Sequence, residues 1–326
     1  MRRAVGAAGA RADHTHSAGP QRPHFPAESA GTFMIAGIQM PVDLHLSNVD
    51  AMCRLIEAAV SIHPSTDMIL FSELAPFGPL VEHMTDDAAA IERVFQEIAV
   101  RNAIWLVPGS MFVRRGEAIF NQAIVIDPAG RVVGRYNKMF PFLPFEKHVA
   151  AGNEFLAFDV PEVGRFGLSI CYDIWIPETT RTLAVQGVEV LLHPVLTGTT
   201  DRSAEIAIAR ATAAMFQCYV IDVNGLLAGG VGHSLVADPS GRIVHQAGQT
   251  QEIFPVEIDL NLVRRARAFG ANGLGQVLKS FRDRSIEFEV YAPGYRSSYL
   301  DALGQLVDRP RGARVPEAPA AALPLV

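Results

Sequence analysis

Apolar and polar positions along this 326-residue chain follow two periods in turn. Short continuous apolar runs predict buried strands at 34–39 and 67–71. Apolar residues recurring every three to four positions predict helices at 47–61 and 88–101, followed by strands at 104–112, 119–126 and 131–136. The order then begins again: strand 166–170, helix 177–186, strand 189–193, helix 202–216, and strands 218–223, 232–237 and 242–246. Each half reads β-α-β-α-β-β-β. The last hairpins share their wording, Asp127-Pro128-Ala129-Gly130-Arg131 against Asp238-Pro239-Ser240-Gly241-Arg242. In both, Pro presets φ and Gly permits a positive φ, which makes a tight turn between β-rich runs. Two similar α/β halves must bury their sheet faces, and the arrangement that does so is a four-layer αββα sandwich. Further helix is predicted near 261–283 and a late strand at 287–291.

Composition narrows the setting. The chain is 49% hydrophobic and 19% charged, with a net charge of −6. That supports a large core and, with no dense Lys/Arg patch, argues against a nucleic-acid partner. Residues 1–32, rich in Ala, Gly, Pro and His without periodicity, read as a disordered tail. Met34 is a second candidate start of the folded part. A domain over 33–296 and a Pro/Ala-rich C-terminal tail over 297–326 complete the division. No stretch is long and apolar enough to cross a bilayer, and the opening Arg2-Arg3 segment is too short to read as a signal peptide. Cys53, Cys171 and Cys218 show no disulfide framework, which fits a reducing cytoplasm. The ten histidines form no HExxH motif, so a metal site is not indicated, although His14, His16 and His24 share one polar tail.

Candidate chemistry sits at the ends of the predicted strands, where α/β sheets build their sites. Cys171 ends the run Phe166-Gly167-Leu168-Ser169-Ile170 and precedes Pro177 and Glu178, the expected first turn of a helix. Glu73 ends Met68-Ile69-Leu70-Phe71-Ser72, so it is expected to be part-buried with a raised pKa, as a general base requires. Lys138 lies among apolar and aromatic neighbours in Tyr136-Asn137-Lys138-Met139-Phe140. Glu146 lies in Pro144-Phe145-Glu146-Lys147-His148. Taken singly, the alternatives are a core thiol, a solvated carboxylate, a snorkelling lysine and an ordinary loop charge.

Together these residues resemble the nitrilase superfamily of carbon–nitrogen hydrolases over 34–260. The motifs are Ile38-Gln39-Met40-Pro41, Phe71-Ser72-Glu73, Tyr136-Asn137-Lys138 and Cys171-Tyr172-Asp173-Ile174-Trp175-Ile176-Pro177-Glu178. The resemblance implies a Glu73–Lys138–Cys171 triad with Glu146 as a second active-site glutamate. It also implies the same αββα sandwich, assembly into a homodimer or larger homo-oligomer, and no cofactor. In this reading Lys138 favours a Cys171 thiolate and, with the backbone N–H of Tyr172, binds the oxyanion, while Glu73 shuttles the proton.

Tyr172-Asp173 after the nucleophile is similar to the amidase and carbamoylase branches, whereas nitrilases carry Trp-Glu there. The expected activity is hydrolysis of a small amide or N-carbamoyl compound with release of ammonia. Nitrile hydrolysis, acyl transfer, an ammonia-supplying glutaminase and a non-catalytic binding protein of the same fold stand as alternatives. Phe142, Trp175, Phe77, Phe140, Phe145, Ile176 and Leu196 are expected to give the substrate pocket apolar walls. His193, after the strand that matches the Glu73 strand in the repeat, is a further pocket candidate, against a packed or hydrogen-bonded core histidine.

Overall fold

A computed structural model describes residues 32–83, 87–143 and 145–306. Residues 1–31 of the expected 1–32 tail, with His14, His16 and His24, lie outside these residues, as does 307–326 of the expected C-terminal tail.

The first half runs β1 (Phe33–Gln39), a two-residue β2 (Pro41–Val42), α1 (Val49–Ile62), β3 (Met68–Phe71), α2 (Ala88–Asn102), β4 (Trp105–Val107), β5 (Ser110–Arg115), β6 (Ala118–Ile126) and β7 (Val132–Asn137). Then come β8 (Leu156–Val160), β9 (Gly164–Leu168), α3 (Pro177–Val185), β10 (Val190–Val195), α4 (Arg202–Phe216) and β11 (Tyr219–Asn224). The short β12 (Leu226–Leu227) and β13 (Gly230–Val231) precede β14 (Leu235–Ala237), β15 (Ile243–Gln246) and β16 (Glu252–Ile258). Helices α5 (Leu260–Phe269), α6 (Val277–Arg282) and α7 (Ser298–Ala302) follow.

One sheet has the order β16-β1-β3-β4-β6-β5, with β7 on β6; the other has the order β15-β14-β11-β10-β9-β8. In each, three consecutive strands are parallel, β1-β3-β4 and β9-β10-β11. The sheets face each other across one apolar layer. Phe33, Ile35, Leu70 and Val107 from the first meet Phe166, Leu192 and Ile221 from the second. Alternate residues point outward. Ile38, Ile69 and Leu106 pack under α1 and α2, while Leu191, Val220 and Leu235 pack under α3 and α4. Each such fully buried aliphatic or aromatic side chain contributes roughly 1.5–3 kcal/mol. This is the αββα sandwich the repeat predicts.

Besides the two-residue β2, β12 and β13, which form a small third sheet, two longer strands were not anticipated, and they join the halves. β8 follows the first half yet pairs antiparallel with β9, the opening strand of the second. β16 follows the second half and pairs antiparallel with β1, from Phe33 opposite Ile258 to Gln39 opposite Glu252. The expected strand at 104–112 is broken into β4 and β5 by Pro108-Gly109. Gly109 has φ +75°, and a side chain there would run into the Ser72 carbonyl. The close approach pins β5 against the turn that carries Glu73. The single helix expected over 261–283 is two, α5 and α6, separated by a glycine-rich turn in which Gly270, Gly273 and Gly275 all have positive φ. The expected strand at 287–291 is instead a 3₁₀ turn at Glu289–Tyr291. The two Asp-Pro hairpins match in detail. Asp127 Oδ1 accepts from the N–H groups of Ala129 and Arg131, and Asp238 Oδ1 from those of Ser240 and Arg242. Both hairpins carry a register shift at the same place, Val125/Ile126 and Val236/Ala237.

Candidate active site

Four predicted residues converge at the carboxyl ends of the strands. Glu73 follows β3 and its N–H bonds the Val195 carbonyl of β10 at 3.2 Å, across the two sheets. Lys138 directly follows β7, its backbone held by the Asn121 carbonyl and the Gly152 N–H. The ammonium of Lys138 lies between two carboxylates, 2.8 Å from Glu73 Oε1 and 2.7 Å from Glu146 Oε2. Glu146 is fixed in turn by the Phe142 N–H at 2.6 Å. All three side chains are buried. Removing the cation alone would strand two buried carboxylates, a loss of about 3–5 kcal/mol.

Cys171 opens a 3₁₀ turn, Cys171–Trp175, three residues past β9. Its φ of +46° is left-handed and unusual for a side chain with a Cβ. Asp173 holds the turn in this form. One carboxylate oxygen accepts from the Ile170 N–H (2.9 Å) and the Tyr136 hydroxyl (2.7 Å). The other accepts from the N–H groups of Met139 (3.1 Å) and Phe140 (2.9 Å). A single carboxylate therefore ties the cysteine turn to the segment carrying Lys138.

The electrostatics correct one expectation. Burial raises the Cys171 thiol well above its ordinary value, and the Glu73 carboxylate raises it further; Lys138 opposes both without prevailing. The resting group is a neutral thiol, not a thiolate. Burial also pushes Glu73 up to about 7, with Lys138 pulling down and Glu146 pushing up. For Lys138 burial works downward, but the Glu73 carboxylate and the charge and hydrogen bond of Glu146 hold it well above its usual value, as a permanent cation. The centre therefore holds a proton donor, a base poised near neutrality and a fixed positive charge.

A cavity of about 550 Å³ opens onto Glu73, Lys138, Glu146 and Cys171. Leu74, Phe112, Phe142, Tyr172, Trp175 and Leu196 give it apolar walls. Phe142 stacks near Phe145 and Tyr172, with ring centroids 5.9 and 5.0 Å apart. Of the expected wall residues, Phe77, Phe140 and Ile176 are not in the lining: Phe77 packs beside the helix-side core, and Ile176 caps the start of α3. His193 is also outside the wall. It is fully buried with Nδ1 2.8 Å from Ser169 Oγ, and burial lowers its pKa to about 4. It is the packed core histidine.

Three participants escaped the sequence reading. Asn121 Nδ2 donates to both Glu73 Oε1 and Glu146 Oε1, each at 2.8 Å, clamping the two carboxylates. The available signal was a polar pair, Asn121-Gln122, inside an otherwise apolar strand. Asp173 was visible only as part of a motif. Glu205, in the first turn of α4, places Oε1 3.9 Å from the Cys171 sulfur. An acidic residue at a helix start is commonplace, so nothing in the sequence singles it out.

Comparison with known proteins points to one family. The carbon-nitrogen hydrolase family profile matches residues 35–268. The chain is 30% identical over 210 residues to the 2-oxoglutaramate amidase of Bacillus subtilis (strain 168), covering 60% of this chain and 78% of that protein. It is also 30% identical over 198 residues to the nitrilase of Pyrococcus abyssi (strain GE5 / Orsay), covering 59% and 71%. The crystal structure of a carbon-nitrogen hydrolase from Helicobacter pylori G27 superposes with a TM-score of 0.69 at 22% identity, over 85% of this chain and all of that one, which is agreement in fold.

Proposed function

The chain belongs to the carbon–nitrogen hydrolase family, in the amidase-like branch of the nitrilase superfamily, and from that premise we propose that it hydrolyses a small amide or N-carbamoyl compound through a thioester on Cys171, releasing ammonia. The observation that carries this reading is the buried contact of the Lys138 ammonium with Glu73 and Glu146 at the floor of the cavity that Cys171 enters.

The chemistry follows from the protonation states. As the sulfur attacks the carbonyl carbon, Glu73 takes the thiol proton, so a thiolate never stands alone beside carboxylates. The oxyanion is held by the Lys138 ammonium and the N–H of Tyr172. Glu73 returns its proton to the nitrogen as the C–N bond breaks, and ammonia leaves. Water then attacks the thioester, giving a proton to Glu73, and the thiol is restored as the acid departs. Asn121 and Glu146 hold Glu73 and Lys138 in place; Asp173 positions the cysteine turn.

The test is ammonia release from a panel of short amides, ureido acids and nitriles. Amide or ureido turnover is expected to exceed nitrile turnover; dominant nitrile turnover would move the chain to the nitrilase branch. No release from any of them would leave a binding protein of this fold.

Self-association and a reducing, cytoplasmic setting belong to the same proposal. Leu274, Phe288, Tyr299 and Leu303, on the segment after α5, are exposed, a concentration of apolar surface suited to a second copy of the chain. Light scattering should give at least twice the 35.3 kDa chain mass; a monomer at micromolar concentration overturns this part. All three cysteines are free, and a nucleophilic thiol needs a compartment that keeps it reduced. No helix among the described residues is long and apolar enough to span a membrane.

A further inference from the structure

The sulfur of Cys171 has a second carboxylate neighbour that the mechanism does not use. Glu205 comes from α4, an element that supplies none of the groups above, and it is as deeply buried as Glu73. Its Oε2 is committed, accepting from Thr197 Oγ1 at 2.6 Å and Arg202 Nη1 at 2.9 Å. Arg202 is itself held by Asp222 and by the His233 carbonyl, so the carboxylate sits on a rigid mount. Its Oε1 has only the Cys171 thiol, 3.9 Å away, and that proton goes to Glu73 when the sulfur attacks. Glu205 lines the cavity, so Oε1 becomes a buried, cavity-facing acceptor without a donor. Leaving such an oxygen unmatched is costly.

The substrate fills the vacancy by elimination of directions. A carbonyl carbon poised for attack lies about 3–3.5 Å from the sulfur. Its oxygen is directed to Lys138 and its nitrogen to Glu73. The acyl chain takes the remaining direction, and Glu205 is the remaining carboxylate beside the sulfur. Charge points the same way. The buried groups number two cations, Lys138 and Arg202, against five carboxyl groups, Glu73, Glu146, Asp173, Glu205 and Asp222. Toward solvent the cavity wall adds exposed Glu82 and Asp201, with His148. Among the described residues lining the cavity, Lys138 is the single lysine and there is no arginine.

We propose that Glu205 is a specificity-determining residue whose Oε1 binds an ammonium group on the acyl chain, so that amides carrying an amine a few bonds from the scissile carbonyl are preferred and those carrying a carboxylate are rejected. This rests on the hydrolase reading. Three amides of matched length test it: β-alaninamide, butanamide and succinamate, measured by kcat/KM on the wild type and by Kd on Cys171→Ala. The expected order is β-alaninamide, butanamide, succinamate, with the ends separated on the order of 100-fold, the scale of a charge-assisted hydrogen bond. In Glu205→Gln the ratio of β-alaninamide to butanamide should fall to near one, a change that a merely structural role would not produce.

Succinamate preferred over β-alaninamide in the wild type overturns the inference, as does an unaltered ratio in Glu205→Gln. If Glu205→Gln does not fold, the order of the three Kd values decides alone. Ammonia from none of the amides sinks the hydrolase reading, while the Kd order still decides the role of Glu205.

Discussion

In the first half, eleven residues beyond the Asp127 hairpin (127 to 138) the chain reaches Lys138, buried between two carboxylates. In the second, eleven beyond the matching Asp238 hairpin (238 to 249) it reaches Gln249, exposed. The strand registers extend the comparison. β3 begins opposite Ile35 and β10 opposite Phe166, which makes Glu73 the counterpart of Val195 and Cys171 the counterpart of Met40. Met40 is core, and Val195 is fully buried. The two halves share one scaffold and carry different residues at its strand ends: Glu73 and Lys138 in one, Cys171 in the other. The backbone bond from Glu73 to Val195 joins the counterparts themselves. The fold supplies the meeting place, and in the proposed mechanism the side chains at three strand ends supply the reaction.

The sharpest way to break this comparison is to exchange its members. Cys171→Ala should lose at least about 10⁴-fold in kcat while melting near the wild type. Met40→Ala, its counterpart, should do the reverse, losing about 2–5 kcal/mol of stability to a cavity while keeping the chemistry. Equal effects on activity, read by ammonia release and thermal melting, would erase the asymmetry.

Lys138→Ala comes next. It should lose on the order of 100-fold or more in kcat as an oxyanion donor, and its melting temperature should fall because Glu73 and Glu146 are left unpaired. Gln249→Ala should stay within about 0.5 kcal/mol of the wild type, as surface substitutions do. Retained activity in Lys138→Ala would reject its role.

The pH profile is a smaller effect with a definite sign. Glu73 must be ionised to accept the thiol proton, and burial has moved it up to about 7. Below that value kcat/KM should fall about tenfold per pH unit, and above it level off. A limb near 4.5, the ordinary glutamate value, would mean that Glu73 is not the base.

The smallest effect concerns what the halves share. Gly130 and Gly241 have φ +77° and +79° in the two hairpins. Alanine at either should cost about 1–2 kcal/mol without changing kcat. Denaturant titration would show whether the two costs match.

What the sequence disclosed follows the same division. The repeat was legible because buried parallel strands are continuous apolar runs and because the Asp-Pro turns are spelled out. β8 and β16 were missed because their apolar runs are short and interrupted, by Asp159 between Phe158 and Val160 and by Pro255 between Phe254 and Val256, and so resemble loops until a partner strand is known. Cys171 and Glu73 stood out as polar residues closing apolar runs, and Lys138 as a lysine among apolar and aromatic neighbours after the first Asp-Pro hairpin. Glu205 and Asn121 did not, since their roles depend on how a helix start and a mid-strand position pack against a distant turn. The thiolate expectation failed because one lysine was weighed without the burial of the sulfur and the carboxylates around it. His193 failed in the opposite sense: its strand was placed correctly, but its ring turns to Ser169 and away from the cavity.

The most direct measurement is rapid acid quench of the enzyme turning over a short amide, followed by peptide mass spectrometry. The account predicts a mass increase equal to the acyl group on the peptide bearing Cys171, and on neither Cys53 nor Cys218. Ammonia release with Cys171 unmodified at every quench time and fully active as Cys171→Ala would contradict it.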